Sequence, residues 1–411
     1  MPTSPFEFTA GNTPDAPRSD LPELLTALAA DLRHLDYTPD GVARFLGPAA
    51  SAALDRDQTI PALLAAERAV RRDEAVRHLA AVVRLWLLAE PQPAETLDAA
   101  LPGLRAEGLL ALGLVEPVPG SALLRAKVDL RPYGWDANND GSGGAELWVA
   151  SDLAAHQQEG VLRRDHVLGI GHASTTLVQT TFRRHTERAL DLGTGCGVQA
   201  FHLLHHSEHV TATDISERAL AFTRFNILLN AEALSVDPAR LAERVSLRLG
   251  SLLDPVAGEE FGLVVSNPPF VITPRSAGED AAGQFTYRDG GLPGDEIVSS
   301  LVRALPSVLA PAGTAQLLGN WEVVAGTSWQ ERPQSWASAG IDAWFIQREQ
   351  VGPEQYAETW LRDASESRDR HHYRDSYAAY LADFESRNVE GIGFGMVWLR
   401  RPVEPGQTII S

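Results

Sequence analysis

The chain has 411 residues, 44% hydrophobic and 22% charged, with 34 glycines and 26 prolines; that is enough for two or three globular domains and excludes a collagenous, coiled-coil or wholly disordered protein. Its 35 basic and 54 acidic residues leave a net charge of −19, which excludes a basic domain that draws in a polyanion at long range and leaves only a local arginine patch for that role. A single cysteine, Cys196, excludes an internal disulfide and a cysteine-based zinc site and points to a reducing compartment.

Residues 1–19 are rich in Pro, Ser, Thr and Gly and read as a flexible tail. The first twenty residues hold neither a basic nor an apolar leader segment, and no uncharged apolar run reaches the ~18 residues of a membrane span. The expectation is a cytoplasmic protein with no membrane partner.

Over 20–135 the pattern is that of a helical N-terminal domain. Leu21, Leu24, Leu25, Leu28 and Leu32 recur at helical spacing, as do Val76, Leu79, Val83, Trp86 and Leu87. Beyond Pro91 and Pro93, ETLDAALPGLRAEGLL predicts two short helices, and GLVEPV and ALLRAKVDLRPY predict strands about the turn Pro119-Gly120. Helices followed by a hairpin suggest a winged-helix-like module over 72–132. Its third helix offers a DNA groove only Arg105, beside Glu107, so packing or substrate docking is the favoured role. A connector spans 136–160. Asp136, Asn138, Asp140 and Gly141 imitate the start of a calcium loop, but Leu147 stands where its last carboxylate belongs, so the stretch reads as a surface loop.

From 161 to 411 strands and helices alternate. RALDLG, HVTATDI, RVSLRLG, FGLVVSN, TAQLLGN, IDAWFIQ and GFGMVWLRR predict seven strands, and the helices between the first five make this an α/β doubly wound sheet with ligands at the strands' carboxyl ends. Residues 353–388 form a helical insertion between the last two strands. It interleaves Tyr356, Trp360, Tyr373, Tyr377 and Tyr380 with Arg362, Arg368, Arg370 and Arg374. The favoured reading is an amphipathic helix pair with buried aromatics; the alternative is a grip on RNA or an acidic peptide, with Arg400 and Arg401 adding to the patch.

Two constellations carry chemistry. The first strand ends at Asp191, and Gly193, Gly195 and Gly197 then open a helix; the next strand ends at Asp214, where a carboxylate meets the two hydroxyls of a ribose. These features fit a nicotinamide dinucleotide or S-adenosylmethionine, and the glycine spacing favours the second. The fourth strand ends in Ser266-Asn267-Pro268-Pro269-Phe270. An amide or aromatic amine is a poor nucleophile because its lone pair is delocalised. Asn267 Oδ1 and the Pro268 carbonyl can accept its two N–H hydrogens and aim the nitrogen, while Phe270 stacks on the planar group.

DLGTGCG, Asp214 and SNPPF, in this order, resemble the class I S-adenosylmethionine-dependent N-methyltransferases with an Asn-Pro-Pro-aromatic motif, over about 160–325. That group includes release-factor glutamine-N5 methyltransferases and small-domain rRNA guanine-N2 methyltransferases, with adenine-N6 enzymes nearby. The resemblance implies a Rossmann-like seven-stranded methyltransferase sheet with S-adenosylmethionine as cofactor. Asp191, Gly193, Gly195 and Gly197 would wrap its methionine and ribose, Asp214 the ribose hydroxyls, and Ile215, Ser251 and Leu252 the adenine, with Asn267 at the methyl end. Asn267, Pro268 and Phe270 would be the catalytic set. Phe270 is similar to the rRNA branch, Val271 departs from the histidine common there, and Ser251 stands where an aspartate is more frequent. The segment Val167–Thr175 would close over the methionine end, with Ser174 or Thr175 the candidate helix cap. His202, His205, His206 and His209 do not converge with other ligands, so no metal is expected. The substrate is a planar NH₂ group of a macromolecule, either a protein glutamine or a base in rRNA or DNA; a winged-helix nucleic-acid-binding regulator that only senses the cofactor is the alternative.

Overall fold

A computed structural model describes residues 4–136, 144–158, 162–275, 289–363, 370–404 and 408–411. The N-terminal part begins with α1 (Pro22–His34), α2 (Pro39–Leu46), α3 (Pro48–Leu54) and α4 (Thr59–Arg72). The first three start on proline, where the missing N–H breaks no helical bond. There follow α5 (Arg77–Trp86), β1 (Gln92–Pro93), α6 (Ala94–Ala100), α7 (Arg105–Ala111), β2 (Val115–Pro117) and β3 (Leu123–Ala126), with β3 paired antiparallel to both β1 and β2. Helix, strand, two helices and hairpin follow one another as in a winged-helix module; the two-residue strand β1 is an element that sequence pattern did not reveal. Asp98 accepts a hydrogen bond from the Ala106 N–H at 2.8 Å and pairs with Arg105 at 3.1 Å, so the one arginine of α7 is already neutralised.

ALLRAKVDLRPY, expected to form one strand, divides. Its second half belongs to β4 (Asp129–Trp135), which leaves the small sheet and pairs antiparallel with β5 (Ala145–Ser151). The strand that AELWVA predicts within the connector 136–160 is this β5, buried from Leu147 to Ser151. The core of the calcium-like stretch, 137–141, lies outside the described residues.

The C-terminal part comprises α8 (His172–Thr180), β6 (Thr186–Leu192), α9 (Val198–Leu204), β7 (Ser207–Asp214), α10 (Glu217–Leu229), β8 (Val245–Leu249), β9 (Phe261–Ser266), α11 (Glu296–Ala304), β10 (Leu309–Val324), α12 (Glu331–Gln334), β11 (Asp342–Val351), α13 (Pro353–Asp363), α14 (Arg370–Ser386) and β12 (Val389–Arg400). All seven expected strands are present in one sheet of order β11-β12-β10-β9-β6-β7-β8. Only β12 runs against the others. The order reverses at β6, which opens a crevice at the carboxyl ends of β6, β7 and β9.

The expected flexible tail is packed instead. Phe8 N–H donates to the Leu247 carbonyl and Leu249 N–H to the Phe6 carbonyl, both at 2.8 Å, so residues 6–8 cover the edge that β8 would otherwise leave bare. Phe8 is buried in a core that continues through Leu28, Trp86, Trp148, Phe201 and Phe222. The helical part and the sheet thus share one apolar interior, and composition alone concealed this because the anchoring apolar residues of the tail are few.

Two asparagines on α10 make the joint. Asn226 accepts from the Ala150 N–H at 2.8 Å and donates to the Ala150 and Cys196 carbonyls at 2.9 Å each. Asn230 accepts from the Trp148 N–H at 2.9 Å and donates to the Trp148 carbonyl at 2.7 Å. Replacing Asn226 by Ala leaves buried backbone groups of both β5 and the glycine loop without partners, so it should destabilise the fold by about 3 kcal/mol. Denaturant unfolding that shifts by less than a third of this would show the joint to be dispensable.

Candidate active site

The loop between β6 and α9 is built around backbone that only glycine adopts easily. Gly193, Gly195 and Gly197 hold φ of 77°, 57° and 95°. A Cβ on Gly197 would lie 2.9 Å from the Phe201 ring, so packing demands glycine there, whereas a Cβ on Gly193 or Gly195 would meet nothing within 4 Å. Those two positions border open space in the crevice. The Gly193 and Thr194 N–H groups both donate to the Thr213 carbonyl at 2.9 Å, which fixes the loop to the end of β7.

Asp191 lies beneath this loop, wholly buried. Its Oδ2 accepts from Thr194 Oγ1 at 2.7 Å and from the Ala200 N–H at 3.0 Å, while Oδ1 has no partner. Burial pushes its carboxyl up to about 7, against the pull of those two donors and with the nearby Asp214 charge adding to the rise. Asp214 ends β7 with Oδ2 accepting from the Gly195 N–H at 3.0 Å and Oδ1 from the Ser216 N–H at 2.9 Å. Burial raises its carboxyl too, opposed by backbone N–H groups of Ser216, Gly195 and Ile215.

Next to it Ile215 is 53% exposed and Leu252 38%, two apolar side chains facing solvent at the mouth of the crevice. Leu252 also holds φ of 46°, a left-handed conformation that costs a leucine about 1–2 kcal/mol. The Gly250 N–H donates to the Asp214 carbonyl at 2.9 Å, which carries Ser251 and Leu252 to the same end of the sheet as Asp214.

Asn267 leaves β9 half-buried, and its Oδ1 is unpartnered. The Pro269 carbonyl is occupied by the Gly290 N–H at 3.1 Å, and Phe270 bridges Asp289. Asp289 also accepts from Thr273, Arg275 and the Gly291 N–H, so one buried carboxylate clamps the chain just past the motif. Pro268 is buried and Phe270 half-buried. Asp289 and Asn320 escaped sequence reasoning because they lie 19 and 50 residues beyond Phe270, with no local pattern to flag them, and Tyr356 was legible only as one of the insertion's aromatics.

Several expectations change. Helix α8 is capped at Gly171, not at Ser174 or Thr175; Thr175 Oγ1 donates back to the Gly171 carbonyl at 3.0 Å inside the first turn. Gln199 Nε2 donates to the Ser174 carbonyl at 2.9 Å and so ties α8 to α9. His202 hydrogen-bonds Tyr133 Oη at 2.7 Å and stacks 3.9 Å from Trp135, and burial pushes its pKa down to about 3. It joins the β4–β5 hairpin to α9. Among the described residues no group of three His, Cys, Asp or Glu is placed to hold a metal ion, and no helix is long and apolar enough to cross a membrane.

The expected arginine patch divides: Arg370 and Arg374 line one concavity on the insertion with Tyr373 and Tyr377, but Arg400 and Arg401 do not join them. Because β12 runs antiparallel, Arg400 pairs in register with Thr314, at the end of the sheet away from the crevice, and Arg401 is bound to Glu260 at 2.6 Å. Arg370 and Arg374 are exposed on α14, while Arg368 lies outside the described residues. The aromatic side of the insertion is core: Tyr356, Tyr380 and Phe384 are buried together.

Residues 153–285 match the methyltransferase small domain family, and residues 34–127 match a domain of unknown function, DUF7059. The chain is 31% identical over 183 residues to the ribosomal protein uL3 glutamine methyltransferase of Bradyrhizobium diazoefficiens, covering 43% of this chain and 54% of the relative. It is 31% identical over 166 residues to the release factor glutamine methyltransferase of Geobacter sulfurreducens, covering 38% and 55%. The chain thus spans about half the length of these curated relatives. A solved 16S rRNA N2 methyltransferase from T. thermophilus, in complex with AdoMet and guanosine, aligns over 58% of this chain and 56% of its own at 14% identity and a TM-score of 0.31. The segment that holds the crevice is a class I S-adenosylmethionine-dependent methyltransferase domain.

The residues present fit that cofactor. Asp191 Oδ1 is an orphaned acceptor for an ammonium group, Gly193 and Gly195 leave open space, and Ile215 and Leu252 offer apolar surface for a base. When bound, the cofactor supplies an electrophilic methyl on a sulfonium. Two outcomes are expected. Asp214→Ala should weaken S-adenosylmethionine binding more than tenfold in calorimetry, since roughly 1.5–3 kcal/mol attends each hydrogen bond to a charged group.

An ammonium group set against Asp191 Oδ1 would make affinity pH-dependent. The cofactor's ammonium favours the ionised carboxylate, so affinity should rise from pH 5.5 through about 7 and level off, whereas Asp191→Asn should bind weakly with no such rise. Free of ligand, the folded state holds its proton to higher pH than the unfolded state. Stability is therefore lost as pH climbs from the ordinary carboxyl range toward 7, and Asp191→Asn should be the more stable protein at pH 8 but not at pH 5.

Proposed function

We propose that this protein transfers the methyl group of S-adenosylmethionine to the side-chain amide nitrogen of a glutamine in a protein substrate. The observation that carries the reading is Asn267: a half-buried amide at the end of β9 whose Oδ1 has no partner, beside the glycine loop and ahead of two prolines that hold the chain rigid. Such an oxygen suits one N–H of a primary amide, and the Pro268 carbonyl suits the other. With both hydrogens engaged, the nitrogen is oriented and the amide plane rests against Phe270. The chain's own residues contribute by positioning and by excluding water.

Kinship with enzymes named for glutamine methylation on uL3 and on release factors supports amide over base. So does charge. At −19 the protein repels a polyanion at long range, the sheet end with Arg400 and Arg401 is remote from the crevice, and a basic protein meets no such barrier.

The test is methyl transfer from labelled S-adenosylmethionine to bacterial ribosomal proteins and to rRNA, presented separately. Label on protein, recovered as N-methylglutamine, is expected. Label on rRNA would overturn the substrate class, and no transfer to any macromolecule would favour a cofactor-sensing role. In the same assay Asn267→Ala should lower kcat at least ~100-fold while cofactor affinity stays within a few-fold, because the lost amide orients the reacting nitrogen. Loss of cofactor binding in step with turnover would instead make Asn267 part of the cofactor's own site.

A further inference from the structure

The loop that follows Asn267 is held from two sides. On one, Asp289 clamps Thr273, Arg275 and the Gly291 N–H. On the other stands Tyr356, the fourth residue of α13, whose hydroxyl accepts from the Ile272 N–H at 2.8 Å and from Asn320 Nδ2 at 2.9 Å. One oxygen therefore joins three segments far apart in sequence: the exit of the Asn-Pro-Pro-Phe motif, strand β10 and the helical insertion. Tyr356 is fully buried, and its ring is stacked on Phe394 at 5.7 Å and meets Phe384 edge-on at 5.6 Å. Ring and backbone are thus fixed before the hydroxyl makes either bond.

A buried backbone N–H that lacks a partner is costly, and the Ile272 N–H lies where no strand or helix supplies one. With the hydroxyl in place, the path from Asn267 to Ile272 is pinned at both ends: by β9 at Ser266 and by Tyr356 five residues past Asn267. Misplacement of a positioning amide by an ångström is enough to lower turnover by orders of magnitude.

We infer that Tyr356 is a positioning residue for the methyl-transfer site: through its hydroxyl the insertion 353–388 sets the conformation of the Asn267–Ile272 segment, and it touches neither cofactor nor substrate. The inference rests on the reading of Asn267 given above, so its first test needs no substrate. Hydrogen exchange followed by NMR on the full wild-type chain should show the Ile272 amide protected by at least ~100-fold. A freely exchanging Ile272 amide in the wild type overturns the inference outright.

Tyr356→Phe keeps the ring and deletes the oxygen. It should remove most of that protection at Ile272 and its neighbours Phe270 and Val271 while the glycine loop at 193–197 and S-adenosylmethionine affinity stay within twofold. Unchanged protection of the Ile272 amide in the folded variant also overturns the inference. On the ribosomal-protein substrate, kcat should fall about tenfold with KM little altered. Leu361→Ala, which loosens the same cluster but removes neither of the rings that hold Tyr356, should leave kcat within twofold. Equal losses in both variants would reduce Tyr356 to a packing residue, as would lost protection in Tyr356→Phe with unaltered kcat. If the wild type transfers no methyl to protein, the reading of Asn267 fails while the exchange result still judges the role of Tyr356.

Discussion

A strand edge inside a protein must be given hydrogen-bond partners, and here a helix gives them. Strand β5 pairs with β4 on one side only, and its other edge faces α10, where Asn226 and Asn230 engage the N–H and C=O groups of Ala150 and Trp148. The match is metric: four helical residues rise ~6 Å, close to the ~6.8 Å between alternate residues of a strand. Two amides on one helical face thus mimic a third strand. Since Asn226 also donates to the Cys196 carbonyl, the edge of the N-terminal hairpin and the glycine loop share a single side chain. Cofactor crevice and helical N-terminal part are consequently parts of one packed body, which explains why their apolar core is continuous.

The start of the same helix carries the heaviest electrostatic commitment. Arg218, almost fully buried, makes a bidentate pair with Asp152 at 2.6 and 2.9 Å and donates to the Asp15 and Asp165 carbonyls. Asp152 in turn accepts from the Val167 N–H at 2.7 Å. Burying an ion pair is worthwhile only when its remaining donors are satisfied, and two backbone carbonyls, of Asp15 and Asp165, achieve that around one guanidinium. Arg218 sits four residues beyond Asp214, so the N-terminal segment and the chain leading to α8 are gathered beside the carboxylate that ends β7. Asp191, buried, and Asp214, half-buried, are held in the opposite condition, with donors but without a full counter-charge, which is the state that a cationic ligand relieves.

What sequence could disclose followed from periodicity and from chemistry with fixed spacing. The short, mainly apolar segments at 189–192 and 261–266, each followed by turn residues, read as buried strands, and three glycines after Asp191 fit a loop of positive φ. Long-range partners were illegible. Nothing around Phe6 and Phe8 signals that they cover β8, since two phenylalanines in a polar stretch carry no period. The antiparallel sense of β12 sends Arg400 and Arg401 away from the crevice, and strand direction is not written in composition. In the insertion, aromatic spacing indicated a buried face. Which hydroxyl on that face would meet a particular backbone N–H depends on how three distant segments pack.

The site divides along a line that kinship also draws. Every side chain assigned to the cofactor lies within 153–285, the segment that matches the methyltransferase small domain. The groups that hold the substrate loop, namely Asp289, Asn320 and Tyr356, all lie beyond it. The glycine loop is fastened by the end of β7 and by Asn226 of α10. The Asn-Pro-Pro-Phe loop takes its supports from outside that segment, the carboxylate of Asp289 on one side and the hydroxyl of Tyr356 on the other. Further out, Glu322 at the top of β10 is buried against Arg387 from the end of α14, and the neighbouring Asp295 against Arg332, so charge pairs bind the insertion to the same strand that presents Asn320. The insertion thus reaches the Asn-Pro-Pro-Phe loop through one hydroxyl and β10 through one guanidinium, whereas the glycine loop is held by groups of the small-domain segment itself.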